Sequence, residues 1–75
     1  MVQYKNLSKK SGVTAYEIMA DSIKIRFVNG DTYLYTYQSA GRRAIERMKK
    51  LAISGRHLST YISKAIKDRF AQKLE

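Results

Sequence analysis

The chain has 75 residues, with 15 lysines and arginines against 6 aspartates and glutamates, a net charge of +9 and no cysteine. At this length folding hides only about 60% of the surface of the unfolded chain, so the molecule is one domain with one thin core and little room for an enclosed active site. Zero cysteines exclude a disulfide framework and a thiolate metal site, and no apolar run is long enough to span a bilayer. The N-terminus lacks the apolar stretch of a secretory signal, and the expected location is cytoplasmic.

Residues 1–10 read as an N-terminal tail or a short edge strand, with the tail favoured because chain ends are poorly ordered by default. Residues 11–75 read as the single domain. After Ser11-Gly12, the segment from Val13 to Met19 is a strand candidate, and Ala20-Asp21-Ser22 turns it into a second strand. There Ile23, Ile25 and Phe27 alternate with Lys24 and Arg26, which places three apolar groups on one face and two cations on the other. Asn29-Gly30 supplies a tight turn, and Tyr33, Tyr35 and Tyr37 recur at period two on a third strand.

The register of this hairpin decides what the tyrosines do. A two-residue turn sets Arg26 opposite Tyr33 and Lys24 opposite Tyr35, which puts rings and cations together on the outer face. A three-residue loop, Val28 to Gly30, sets Ile25 opposite Tyr33 and Ile23 opposite Tyr35, and the rings join the core. The second is favoured, because so short a chain needs large apolar bodies inside.

Beyond Tyr37 the period becomes helical, with Ala44, Ile45, Met48, Leu51 and Ala52 on one face and Arg42, Arg43, Glu46, Arg47, Lys49 and Lys50 on the other. Ser39 is placed to cap this helix, Glu46 precedes Lys50 by four residues, and Gly55 is placed to end it. A second helix is expected from Ser59, with Ile62, Ala65, Ile66, Phe70 and Leu74 in one stripe. The fold class is therefore α+β, a three-stranded antiparallel β-meander followed by two helices packed on one face.

The pattern Tyr16-Glu17, then Ile23-x-Ile25-x-Phe27-x-x-Gly30-x-x-Tyr33-x-Tyr35, with Gly55 and Ile62 following, resembles the KTSC domain, a small family named for a C-terminal segment of some lysyl-tRNA synthetases. It departs from the family's usual residues at Gln38-Ser39, Ile53 and Ser59. The resemblance implies no established activity and an association with RNA.

Charge points the same way. Residues 1–38 carry five cations against three carboxylates, and residues 39–75 carry ten against three. A molecule so strongly cationic suits a polyanion as partner. Two constellations are candidate nucleic-acid contacts. The first is Tyr33, Tyr35 and Tyr37 beside Lys24 and Arg26, a stacking platform flanked by cations. The second is Arg42, Arg43, Arg47, Lys49, Lys50 and Arg56, a helix exterior and the loop after it, opposed only by Glu46, with Gly41 leaving first-turn N–H groups open to an anion. His57 has no second histidine or cysteine to complete a metal site, and no hydroxyl stands beside a recognisable base, so neither a metal, a cofactor nor an enzymatic activity is expected. The expected function is a non-enzymatic module that binds RNA or another single strand. The alternative is a protein-interaction module, docking a partner or a second copy of the chain through its sheet edges or an exposed tyrosine patch.

Overall fold

The computed structural model describes residues 1–5 and 12–75. The chain runs β1 (Val2–Gln3), β2 (Val13–Met19), β3 (Ser22–Phe27), β4 (Thr32–Thr36), α1 (Tyr37–Ala40), α2 (Arg42–Ser54), α3 (Leu58–Tyr61), a π-helical turn (Ile62–Ile66) and β5 (Gln72–Lys73). The strands form one antiparallel sheet in the order β1-β2-β3-β4-β5. The α+β class and the central meander are as expected. The sheet has five strands rather than three, because a two-residue strand from each end of the chain pairs with an edge of the meander.

Residues 1–5 are accordingly more than a tail: Val2 pairs with Tyr16 and Gln3 with Ala15. Tyr4, 3% exposed, joins the core, sets its ring edge-on to Tyr16 and accepts a hydrogen bond from the Leu58 backbone N–H at 3.3 Å. Residues 6–10, including Lys9 and Lys10, lie outside the described residues.

The hairpin takes the three-residue loop. Ile23 faces Tyr35 and Ile25 faces Tyr33. The Phe27 N–H donates to the Asp31 carbonyl at 2.8 Å, the Gly30 N–H returns to the Phe27 carbonyl at 2.9 Å, and Asn29 Oδ1 accepts from the Asp31 N–H at 3.0 Å. Gly30 has φ +90°, and a Cβ there would meet nothing within 4 Å. The penalty of a side chain at this position is therefore backbone strain and not crowding, and Gly30→Val should destabilise the domain by about 1–3 kcal/mol in urea unfolding. An unchanged urea midpoint would contradict that account of the turn.

Tyr37 does not continue the strand. Thr36 and Ser39 form a capping box, in which the Ser39 N–H donates to Thr36 Oγ1 at 3.1 Å and the Thr36 N–H to Ser39 Oγ at 2.9 Å, so the chain turns into α1 at Tyr37. Ser39 thus serves the short α1. The long helix starts after Gly41, whose φ of 96° and ψ of 146° suit glycine and break α1 from α2. Ile45, Met48 and Ala52 on α2 are fully buried against Ile23, Ile25 and Tyr35 of the sheet. Phe27 is only partly buried, edge-on to Tyr33. Gly55 ends α2 in the left-handed conformation expected of it.

The second helix is the largest departure. It begins at Leu58 after His57 with φ 65°, without a side-chain cap from Ser59, and stops at Lys67 with φ 55°. Ile62 and Ile66 are buried as their spacing predicts, but Ala65 is exposed and the chain then reverses. The reason lies in β4, whose open edge would otherwise leave backbone groups without partners. The Ala71 N–H donates to the Leu34 carbonyl and the Leu74 N–H to the Thr32 carbonyl, both at 2.7 Å, and Phe70 lands with its ring centroid 4.6 Å from that of Tyr33.

Candidate nucleic-acid interface

The sheet separates the two halves of the expected tyrosine platform. Tyr35 is 2% exposed on the face that α2 covers, and Tyr33 is half-buried there between Phe27, Phe70 and Tyr35. Burial, with Tyr33 alongside, pushes the Tyr35 hydroxyl up to about 12. Lys24 and Arg26 alternate with Ile23 and Ile25 and so project from the opposite face. They are also compensated: Lys24 Nζ lies 3.7 Å from Glu17, and Arg26 lies 3.5 Å from Glu75 while its Nε donates to Thr32 Oγ1 at 3.3 Å. The rings and these cations therefore do not meet, and a stacking platform made of Tyr33, Tyr35, Lys24 and Arg26 is not assembled.

Tyr37 fastens α2 to the β2–β3 turn. Its hydroxyl lies 2.6 Å from Glu46 Oε2 and 3.1 Å from the Ala20 carbonyl, and its single proton goes to the carboxylate, the stronger acceptor. Lys49 Nζ donates to the same two oxygens at 2.9 and 3.0 Å, so Glu46 pairs with Lys49 and not with Lys50. The hydrogen bond to Glu46 raises the Tyr37 hydroxyl above its ordinary value, while the hydrogen bonds from Tyr37 and Lys49 hold the Glu46 carboxyl below the usual range. A depressed carboxyl contributes stability that is full above its unfolded value and lost as pH falls through the folded one. A raised phenol contributes stability that is full below its unfolded value and lost as pH rises through the folded one. In Glu46→Gln the melting temperature should therefore fall less steeply than in the parent between about pH 5 and pH 3. Parallel acid limbs in the two proteins would remove Glu46 from that role.

Apart from Lys49, which is tied to Glu46, the second constellation stands in the open. Arg42, Arg43, Arg47, Lys50 and Arg56 are all exposed, and none has an ion-pair partner among the described residues. Helical spacing places Arg43, Arg47 and Lys50 in one stripe on the side of α2 opposite Ile45, Met48 and Ala52. Arg42 lies to one side, its guanidinium carbon 5.9 Å from the centre of the Tyr37 ring. Arg56 follows Gly55 at the other end. The first turn of α2 holds no acidic residue and no side-chain cap.

Beside this stripe, an open cleft of about 320 Å³ separates α2 from α3, lined by Arg47, Leu51, His57, Thr60, Tyr61 and Lys64. Three of the six are basic residue types and none is a carboxylate. A second cleft, of about 330 Å³, lies by the hairpin loop and is less cationic, with Asp31 and Asp68 against Lys67 beside Phe27, Tyr33 and Phe70. Tyr61 is half-buried in the first cleft and was not among the residues singled out from the sequence, because a lone tyrosine in a helical stripe carries no signal until Arg47 of another helix is placed next to it. Among the described residues no group of three His, Cys, Asp or Glu is placed to hold a metal ion, and no helix is long and apolar enough to cross a membrane. No family model, no curated protein and no solved structure matches the chain.

Proposed function

We propose that this chain is a non-enzymatic binding module of the KTSC type whose partner is RNA, held mainly through charge by the solvent face of α2 and the loop after it. The observation that carries this reading is how the ion pairs are distributed. Lys24, Arg26, Lys49 and Lys73 are each matched to a carboxylate within 4 Å, whereas Arg42, Arg43, Arg47, Lys50 and Arg56 are matched to none among the described residues. Unmatched cations on one helix face repel one another, and a polyanion relieves that repulsion while its counterions are released to solution. The resemblance of the hairpin to the KTSC pattern adds an independent pointer to RNA. Neither helix enters the reading as a duplex reader, since neither carries a helix-turn-helix or zinc-finger pattern that would set it in a major groove.

The test is a titration of a labelled single-stranded RNA oligomer at several salt concentrations, read by fluorescence anisotropy. Four phosphate contacts would give log K against log salt a slope of about −3, at about 0.7 per contact for a single strand. Absence of binding at low salt, in a sample shown to be folded, would overturn the proposal and favour a protein partner.

A further inference from the structure

We propose that the cleft between α2 and α3 receives one unstacked base of the bound strand, which lies on the ring of Tyr61 while the flanking phosphates are held by Arg47 and Lys64. The inference rests on the reading of the molecule as an RNA-binding module and adds to it the place where a base, rather than the backbone, is recognised.

Three features of the cleft converge on a nucleotide. Its walls pair an apolar side, Leu51, with an aromatic ring, Tyr61, that is partly open to solvent, and its volume of about 320 Å³ falls in the range of small-ligand sites. Its lining is cationic from two separate elements, with Arg47 from α2 and Lys64 from the π-helical turn. Neither Arg47 nor Lys64 has an ion-pair partner among the described residues. A ring that offers a π-face next to charges able to take phosphates is the combination by which single strands are held without sequence readout. Thr60 and His57 add hydrogen-bonding groups at the edge. The cleft by the hairpin loop also has rings, but its one lining cation, Lys67, stands against two aspartates, Asp31 and Asp68, which would repel a phosphate. Arg47 also belongs to the stripe with Arg43 and Lys50, so a strand following that stripe arrives at the cleft without changing course.

The experiment uses a short single-stranded RNA carrying 2-aminopurine, whose fluorescence is quenched on stacking, and the same oligomer with an abasic site at that position. The parent protein should quench the probe and bind the abasic oligomer about tenfold more weakly. Tyr61→Phe, which keeps the ring, should behave as the parent. Tyr61→Leu, which keeps apolar bulk, should lose the quenching and about tenfold in affinity with the salt slope unchanged. Circular dichroism checks its fold, and should that variant unfold, Lys64→Glu on the exposed rim replaces it, compared with Arg69→Glu outside the cleft. A larger loss of binding in Lys64→Glu supports the site, and equal losses overturn it. Equal affinity for intact and abasic oligomers, with normal salt dependence, would overturn the base site and leave the charge-driven reading standing. No binding of either oligomer would overturn both.

Discussion

Tyr35→Ala should lower the stability of the domain by about 3–5 kcal/mol, the loss typical of truncating a large buried aromatic side chain. The ring is 2% exposed, stands opposite Ile23 across the hairpin and meets Phe70 edge-on with centroids 6.4 Å apart. A small domain holds only about 5–15 kcal/mol in total, so the variant should lose a large share of its stability. Its removal takes apolar contacts from both α2 and the returning C-terminal segment, because Tyr35 shares the core with Ile45 and Met48 and meets Phe70. Urea denaturation followed by circular dichroism measures the effect. A shift in melting temperature of only a degree or two would mean that the ring is outside the core, and would reopen the outward-facing register that places tyrosines beside Lys24 and Arg26.

The opposite behaviour is expected of Arg43→Ala, Arg47→Ala and Lys50→Ala combined. These side chains are exposed and without ion-pair partners among the described residues, so their loss should leave stability unchanged or raise it slightly by relieving repulsion along the helix face. Binding should suffer instead. Three phosphate contacts at about 0.7 each reduce the salt slope by about 2, which at 0.1 M salt corresponds to about a hundredfold loss of affinity relative to the 1 M limit where counterion release no longer contributes. All single-stranded sequences should be weakened alike, since phosphates carry no sequence. A variant with parent-like affinity would show that the stripe is a solvated helix exterior and nothing more.

What was legible in the sequence follows the range of the forces involved. The hairpin was legible because Asn29-Gly30 and the alternation of Ile23, Ile25 and Phe27 are local, and the need for a core favoured the register found. The α2 face was legible because its apolar and charged residues sort at a single period from Ala44 to Ala52. Tyr37 was misread because its spacing from Tyr33 and Tyr35 continues the strand, while the Thr36 and Ser39 side chains that end the strand are an unremarkable pair in sequence. The second helix was misread for a different reason. Ile62, Ile66 and Phe70 keep a helical spacing whether or not the chain turns at Lys67, and what turns it is the open edge of β4, far away in the chain. The two outer strands are two residues each, too short for any alternation to register. The charge cluster was visible in composition alone, yet which cations are free depends on pairing: Glu17 faces Lys24 only through the register of β2 on β3, and Glu75 reaches Arg26 only because the C-terminus returns. The Tyr61 cleft, built from two helices, had no local signature.

The central claim is that one face of this molecule, and not the other, holds RNA. The most direct measurement is a titration of the isotopically labelled protein with a single-stranded RNA oligomer at low salt, with backbone amide shifts followed residue by residue. Salt-reversible shifts should concentrate at residues 42–50 and 56–64, with the amides of Lys24 and Arg26 on β3 unmoved. Shifts centred on β2 and β3, or none at any residue of a folded sample, would contradict it.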